Sequence, residues 1–357
     1  MSDTADLIAQ SFACWGEVPR IVHDVFEDIA PTAMAAALDE FCKRVLGAGL
    51  ERGEFFNASV GSVHGLRLRD GRRVVVKLHG NRASAAFLVA VQAVQRHLCE
   101  KRFPAPEPLV APTPFGRGLA TAEALLDHGE YADAHEPPIR RAVAQELARF
   151  IAHCRPLGTP HDLDDHLMTV ADGGLWPTPH DGRFDFEATK AGADWIDAFA
   201  LRARRVRDGG DGVGVGDRVI GHSDWRVQHL RFGHGRLSAV YDWDSVIVER
   251  EPVLVGMAAH GFTANYATDG PRRQRPTLEE SVAFIAEYET ARPAPFSNEE
   301  RLVARASLVY AMAYTARCEH SDALLMPWGE PQTPPDSARA FLIAHATGLL
   351  TTVGGSA

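Results

Sequence analysis

The chain has 357 residues, which at roughly 150 residues per domain predicts two domains with hydrophobic cores of ordinary size. Hydrophobic residues make up 45% of the sequence and charged residues 24%, a balance that excludes a fibrous or wholly disordered chain. The formal net charge of −10 argues against a protein that binds nucleic acid or an anionic membrane surface.

The cysteines and the N-terminus bear on the cellular compartment. The five cysteines are widely spaced and include no Cys-x-x-Cys pair, so we expect reduced, mostly buried thiols. The N-terminus is acidic where a signal peptide needs positive charge, and no apolar run reaches the roughly 18 residues of a membrane span. These features predict a cytoplasmic protein.

The N-terminal part of the chain changes from a helical to a strand pattern. Apolar residues recur at helical spacing over residues 7–50, and Gly47-Ala48-Gly49 predicts the end of this helical lead-in. Residues 63–69 and 72–78 then have the pattern of two strands around Asp70-Gly71, a dipeptide that strongly favours a tight β-hairpin.

The next segments predict the rest of a small sheet and the start of a helical region. A helix is expected over residues 84–102, because its apolar stripe stops at Phe103-Pro104-Ala105-Pro106. Strand candidates at 108–111 and 118–126 would complete an antiparallel sheet. Pro137 then stands at the first turn of a predicted helix, a position that tolerates proline.

The remainder is predicted to be mainly helical. Residues 157–183 have the composition of a long ordered loop, and the glycine-rich segment 207–216 predicts a flexible surface connection. One hairpin is expected near 219–247, with helices after it. The expected organisation is a helical N-terminal extension at 1–50, a sheet lobe at 51–127 and a helical lobe at 128–357.

The predicted hairpin carries the residues that could take part in a reaction. A short strand brings His222 and Asp224 to a loop, and the returning strand ends at Asp242. Phosphoryl transfer needs a carboxylate to receive the acceptor's proton and another acidic residue to hold a divalent cation. The same tripeptide recurs at 320–322, but there it lies inside a predicted helix without a hairpin or a later Asp at similar spacing.

The order of these residues after a strand-borne Lys77 resembles the aminoglycoside phosphotransferase and choline kinase group of small-molecule kinases. The resemblance extends over roughly residues 55–345. It implies an α+β, two-lobed protein-kinase-like fold, with a small antiparallel β-sheet N-lobe and a mainly helical C-lobe. It also implies ATP or GTP as phosphoryl donor and Mg²⁺ as cofactor.

The resemblance assigns roles to individual residues. It implies Asp224 as catalytic base and Asp242 as metal ligand. His222, beside the base, is a further catalytic-site candidate, either through hydrogen bonds to the loop backbone or through a direct chemical role. Lys77 would bind the α- and β-phosphates of the donor. The remaining nucleotide contacts would come from a loop over the phosphates and from a hinge strand, with the candidates Asn57, Ser59, Gly61, Ser62, Glu123 and Leu125.

Three residues depart from the family pattern. Ser223 replaces the usual glycine before the base, which is acceptable unless the backbone needs a positive φ. His229 replaces the metal-binding Asn, a change associated with macrolide phosphotransferases. Gln92 stands where the Glu that pairs with Lys77 is expected, which would weaken a charge-assisted contact to a neutral one.

Simpler interpretations stay open for several of these residues. Lys77 taken alone has the pattern of a surface lysine at a strand end, and His229 fits a buried loop histidine as well as a ligand. Asp242 with Asp244 could form a solvated acidic turn. The candidates for acceptor contacts, most of which could equally be solvated or packed in the core, are Asp127, Trp225, Asp244, Glu249, Glu251 and Glu319.

The function expected from the sequence is phosphorylation of a hydroxyl group on a small molecule, with no nucleic acid or membrane partner. An antibiotic or related natural product is the leading acceptor class, and carboxylates near the site would favour a neutral or cationic one. The alternatives are a kinase of a sugar or amino-alcohol metabolite and a kinase-like nucleotide-binding module without catalysis. A serine hydrolase is disfavoured, because Gly221-His222-Ser223-Asp224-Trp225 lacks the second glycine of a nucleophile elbow.

Overall fold

The structure is a computed structural model that describes residues 2–15, 19–58, 61–80, 83–164, 174–209, 214–267, 274–326 and 333–351. The chain forms two compact units, Met1–Asp127 and His128–Ala357. Within the described ranges, no helix is long and apolar enough to cross a membrane.

Unit 1 (Met1–Asp127) is built on a five-stranded antiparallel sheet with the strand order β1-β2-β3-β5-β4. The strands are β1 Leu50–Ala58, β2 Ser62–Leu68, β3 Arg73–His79, β4 Pro108–Phe115 and β5 Gly118–Ala124. The helices are α1 Ser2–Trp15, α2 Arg20–Phe26, α3 Pro31–Phe41, which continues into a π-helical turn at Cys42–Leu46, and α4 Ala85–Glu100. The predicted small antiparallel sheet is therefore confirmed.

The structure differs from the sequence prediction at the N-terminal end of this sheet. The helical lead-in is divided into three helices, because Pro19 precedes α2 and Pro31 opens α3. Proline fits the start of a helix but interrupts its interior. Strand β1 was not predicted. Register shifts at Leu50/Arg52 and Gly53/Phe55 interrupt the alternation of its side chains between the two faces of the sheet. Its sequence therefore lacks the period of two that predicts a strand.

The two faces of the sheet have different character. Along β3, Val74, Val76 and Leu78 are buried in one hydrophobic cluster with residues of the N-terminal helices such as Met34. Because side chains alternate along a strand, Lys77 lies on the opposite face. That face meets α4 and carries polar side chains, although Lys77 itself is only 7% exposed.

Unit 2 (His128–Ala357) contains two two-stranded sheets and six helices among its described residues. One sheet pairs β6 Arg218–His222 with β9 Val246–Arg250, and the other pairs β7 Leu230–Gly233 with β8 Arg236–Val240. The helices are α5 Pro137–Cys154, α6 Asp194–Asp208, α7 Glu251–Gly261, α8 Leu278–Thr290, α9 Asn298–Leu325 and α10 Ala338–Leu349. The mainly helical character of this part and the helix beginning at Pro137 agree with the sequence prediction.

Close packing around α7 places the strands that carry the site. A Cβ on Gly256 of α7 would lie 2.1 Å from the carbonyl oxygen of Ala304, so only glycine permits the approach of α7 to α9. A Cβ on Gly221 of β6 would lie 2.4 Å from the side chain of Leu254. Strand β6 is therefore held against α7 directly before His222.

Two segments named in the sequence prediction lie partly outside the described residues. The glycine-rich segment 207–216 is described except for residues 210–213, and the predicted loop 157–183 is described except for residues 165–173. Within the predicted hairpin, a 3₁₀ turn at Val227–His229 precedes β7 and carries His229.

A buried histidine in unit 1 makes stability depend on pH. His64 is 1% exposed, its Nε2 lies 2.9 Å from the Ser62 hydroxyl, and burial lowers its pKa from 6.5 to about 3. Below about pH 6.5 the unfolded chain binds a proton at this position that the folded chain does not bind. The free energy of unfolding should therefore fall as the pH falls, by up to about 1.4 kcal/mol per pH unit from this group.

We predict that His64→Gln reduces this acid sensitivity, because glutamine keeps a polar partner for Ser62 and cannot be protonated. Between about pH 7.5 and pH 5, the wild-type melting temperature should fall roughly 3–6 °C further than that of the variant. Thermal melting followed by circular dichroism at both pH values measures the difference. Equal losses in the two proteins would contradict the assignment of a neutral buried His64.

Candidate active site

His222 connects the two backbone segments that carry the site carboxylates. Its Nδ1 accepts the backbone N–H of Asp224 at 3.2 Å, and its Nε2 donates to the carbonyl oxygen of Tyr241 at 3.2 Å. This pattern requires a neutral imidazole with its proton on Nε2. Burial lowers the pKa of His222, which favours this form. The side chain therefore positions Asp224 and leaves no free nitrogen for proton transfer.

Asp224 lies in the turn that follows β6, and its carboxylate lies beside an arginine. Its Oδ2 is 3.1 Å from the guanidinium of Arg226 and 3.1 Å from Nε2 of His229. Burial opposes ionisation, but Arg226 and the neighbouring His229 outweigh it and hold the pKa of the Asp224 carboxyl well below its usual range. The group is ionised at neutral pH.

Asp242 is held in an uncommon backbone conformation at the end of β8. Its φ of 61° lies in the left-handed region, which Asp tolerates better than most residues because its short polar side chain can bond locally. Ser245 supplies that bond, since its hydroxyl donates to Asp242 Oδ2 at 2.6 Å. The carboxylate is thereby directed toward His229, whose Nε2 is 3.8 Å away.

Ser223 and two tryptophans hold in place the loops that carry Asp224 and Asp242. Ser223 has no positive φ, and both its backbone N–H and its hydroxyl donate to the carbonyl of Ser245, at 2.8 and 3.0 Å. Serine therefore fits the position where the family has glycine. Trp225 and Trp243 are 2% and 1% exposed and donate to the carbonyls of Val143 and Val240, so both pack in the core.

The three side chains of Asp224, His229 and Asp242 can hold a cation. One ligand atom from each lies within 4.8 Å of the others, and all three residues are half-buried. Nε2 of His229 accepts a hydrogen bond from Nε of Arg226 at 2.9 Å with its single lone pair, so a cation bound there would take the place of this Arg226 contact. Two carboxylate oxygens and a neutral imidazole nitrogen form a donor set that suits a divalent cation.

In unit 1, Lys77 pairs with a residue other than the one predicted. Its Nζ is 3.2 Å from Oε1 of Glu123, and Gln95 of α4 donates to Glu123 Oε2 at 2.9 Å. Val75 pairs with Glu123 in the β3–β5 register, so Lys77 and Glu123 are diagonal neighbours on one face. The amide of Gln92 donates to the carbonyl of Val110 and accepts from Arg96.

The structure places the other predicted nucleotide-binding residues around the β1–β2 hairpin and the end of β5. Asn57 is exposed near the end of β1, Gly61 is half-buried, and Leu125 is half-buried just after β5. Ser62 is fully buried and its hydroxyl bonds His64, so it is not directed to a ligand. Ser59 lies outside the described residues.

Glu251 and Trp225 do not have the exposure expected of acceptor contacts. Glu251 is 2% exposed, and its carboxylate accepts hydrogen bonds from Arg155, Arg292 and the Tyr288 hydroxyl at 2.6–3.1 Å. A carboxylate this buried and fully paired cannot present itself to a ligand. Both residues are therefore structural.

The other acidic candidates also have partners. Glu319 is 2.6 Å from Arg275 and accepts the backbone N–H groups of residues 338 and 339 at the start of α10, where a negative charge stabilises the helix. Asp127 pairs with Arg73 within unit 1, and Glu249 accepts the backbone N–H of Arg250. Asp244, which lies in the turn after Asp242, is half-buried.

Sequence reasoning missed three residues near the base. Arg226 contacts both Asp224 and His229, and the charges of Asp224 and Arg226 influence the pKa of His180 and His260. The position of Arg226 two residues after the base is a signal that the sequence offered. His180 and His260 are distant in sequence and gave none.

Comparison with known proteins identifies a family. The model of the phosphotransferase enzyme family (APH) matches residues 65–248, just over half of the chain. No curated protein sequence matches the chain.

Three solved structures illustrate the likeness in fold. An amicoumacin kinase in complex with AMP-PNP, Ca²⁺ and Ami has a TM-score of 0.57 at 10% identity, with 89% of this chain and 95% of that chain covered. A spectinomycin phosphotransferase with ADP and spectinomycin has a TM-score of 0.52 at 10% identity, covering 88% and 97%. A thermostable mutant of an aminoglycoside phosphotransferase in its apo form has a TM-score of 0.51 at 14% identity, covering 89% and 100%.

These structures share the protein-kinase-like fold, and the predicted fold class is thereby confirmed. The family match extends from β2 of unit 1 to β9 of unit 2, so it includes both Lys77 and the loops that hold Asp224 and Asp242. The chain belongs to the phosphotransferase enzyme family, as the order of its motifs had suggested.

Proposed function

We propose that the protein transfers the γ-phosphoryl group of ATP or GTP to a hydroxyl group of a small molecule. The observation that carries this proposal is the cluster of Asp224, His229 and Asp242, whose ligand atoms lie within 4.8 Å of one another. The cluster lies inside the segment that matches the phosphotransferase family. Its carboxylates meet the two needs of the reaction, a proton acceptor and a cation ligand.

Asp242 and His229 are the residues that would hold the divalent cation. A bound cation neutralises the phosphate oxygens of the donor and supports the charge of the transferred group. The carboxylate suits Mg²⁺, whereas the imidazole nitrogen also suits softer cations such as Mn²⁺. Ser245 contributes by fixing the direction of Asp242 Oδ2, and the His229 lone pair becomes available to the cation once it exchanges its hydrogen bond from Arg226.

Asp224 orients the acceptor hydroxyl and receives its proton. The pKa of this carboxyl is held low by Arg226 and His229, so the group is fully ionised and accepts a hydrogen bond from a hydroxyl. A carboxylate of low pKa is a weak base. Its main contribution is therefore to direct the hydroxyl oxygen at the phosphorus, with the proton transferred late in the reaction.

The acceptor class proposed first is an antibiotic or related natural product, so that phosphorylation would inactivate it. The amicoumacin kinase and the spectinomycin phosphotransferase have antibiotics in their structures, which supports this class for a chain of similar fold. A sugar or amino-alcohol metabolite is the alternative acceptor. A screen of acceptors for an ATP-dependent mass gain of one phosphoryl group tests the proposal.

We expect Asp224→Asn to fold normally and to lower kcat by roughly 10²- to 10⁴-fold, because the amide cannot accept the proton. Nucleotide affinity should stay within a few-fold of wild type. The matched control is Asp217→Asn, which makes the same exchange in unit 2 at a side chain that is 76% exposed and should keep wild-type kcat. Steady-state kinetics and calorimetry measure both values. Near-normal turnover in Asp224→Asn would contradict its assigned role.

Lys77→Met should weaken nucleotide binding by about tenfold or more, because a positive charge on the phosphates is lost. The single variant also leaves Glu123 buried without its ammonium partner, at a cost of roughly 3–5 kcal/mol of stability. The double variant Lys77→Met with Glu123→Gln should recover most of the stability and none of the affinity. Titration with AMP-PNP separates the two effects, and normal affinity in the double variant would exclude phosphate binding by Lys77.

His229→Asn should change the cation preference of the enzyme. The carboxamide oxygen is a harder ligand than an imidazole nitrogen, so the ratio of activity with Mn²⁺ to activity with Mg²⁺ should fall several-fold. Metal activation curves at saturating nucleotide measure this ratio. An identical ratio in variant and wild type would leave His229 a structural loop residue.

A further inference from the structure

A second group of polar side chains in unit 2 lies near Asp224 and takes no part in the cation cluster. The Tyr314 hydroxyl is 2.9 Å from Nδ1 of His180 and 3.1 Å from its backbone nitrogen. Nε2 of His260 is 2.7 Å from the Thr315 hydroxyl. Since Tyr314 and Thr315 are consecutive in α9, the two imidazole–hydroxyl pairs are anchored on the same turn of one helix.

The backbone places these pairs near Asp224. The N–H of Val227, next to Arg226, donates to the carbonyl of Phe262, two residues after His260, at 2.9 Å. The Asp224 carboxylate and the Arg226 guanidinium also act on the pKa of both histidines, the first raising it and the second lowering it. His180 is exposed, while His260, Tyr314 and Thr315 are half-buried. Solvent, and hence a ligand, therefore reaches polar atoms beside Asp224.

Both histidines are neutral at pH 7. Burial lowers the pKa of His260 to about 4. His180 keeps an exposed edge, but the protein atoms that cover the rest of its ring, among them the ring of Phe184 at 5.1 Å, lower its pKa as well. Each pair therefore offers hydrogen-bond donors and acceptors without a formal charge.

Four carboxylates of this neighbourhood lie beside arginines, and two of them share the same one. Glu319 is 2.6 Å from Arg275, whose charge also lowers the pKa of His260. Arg183 lies 3.8 Å from Asp181 and 3.6 Å from Asp322. Asp224 itself has Arg226 at 3.1 Å. Each of these described carboxylates thus has a cation within 4 Å.

We propose that the His180–Tyr314 and His260–Thr315 pairs form the acceptor-recognition surface and select an uncharged hydroxylated molecule over a polycation. The inference rests on the proposed kinase activity and names its substrate class. Hydroxyl and imidazole groups match the alternating donors and acceptors of an uncharged natural product. A polyamine acceptor needs unpaired carboxylates, and here it would meet arginines instead.

The charge preference is tested with acceptors of defined charge. Chloramphenicol and uridine serve as uncharged probes and kanamycin as a polycation, each with ATP and Mg²⁺ and with mass spectrometry of the products. We expect the better uncharged probe to exceed kanamycin in kcat/KM by at least tenfold. Preference for kanamycin overturns this inference and leaves the kinase activity intact. Binding of AMP-PNP without transfer to any probe counts against the proposed function, and this inference falls with it.

The recognition surface is tested with variants that each remove one hydroxyl. Tyr314→Phe and Thr315→Val should raise the KM of the best acceptor by about 3- to 10-fold, the value of one neutral hydrogen bond, with the nucleotide KM within twofold of wild type. Thr315→Ser should restore the acceptor KM. The control His161→Gln changes a side chain that is 95% exposed and should alter neither KM. Unchanged acceptor KM in both hydroxyl variants, or parallel changes in both KM values, would refute the surface.

Discussion

One neutral imidazole holds the two carboxylates of the candidate site in place. His222 accepts a hydrogen bond from the backbone of Asp224 and donates one to the carbonyl of Tyr241, the residue before Asp242. The two carboxylates therefore keep their spacing only while this ring stays neutral, since a proton on Nδ1 would face the N–H of Asp224. Burial supplies that condition by lowering the pKa of His222. The ladder of β6 and β9 fixes the ring at the strand end, where its neighbours are backbone groups of both segments.

The distribution of charge in unit 2 separates buried, fully paired carboxylates from those of the candidate site. Glu251 is buried among two arginines and a tyrosine hydroxyl, and it joins α7 to α8 and to the chain after α5. Glu319 caps α10 and pairs with Arg275. Only carboxylates that keep partial exposure, such as those of Asp224 and Asp242, can exchange a protein partner for a cation or a hydroxyl. The net negative charge of the chain therefore does not describe the charge of its site.

Unit 1 accommodates the charged side chain of a buried lysine within its sheet. The apolar face of β3 packs on the N-terminal helices, and this burial leaves the other face to Lys77 and Glu123. The carboxylate compensates the ammonium, and Gln95 of α4 satisfies the second carboxylate oxygen. In the family pattern, the lysine pairs with a glutamate on the helix that corresponds to α4. Here the sheet supplies the acid and the helix supplies the amide.

Local signals in the sequence determined much of this protein. Asp70-Gly71 predicted the β2–β3 hairpin and Pro137 the start of α5, because turn geometry and proline sterics act within a few residues. The order of Lys77, Asp224 and Asp242 indicated the family for the same reason, since each residue lies in a recognisable local motif. Tertiary structure decided which acid faces Lys77, which carboxylates are buried, and which histidines approach the base. Those outcomes depend on strand register and on the packing of helices far apart in sequence, and no spacing along the chain encodes them.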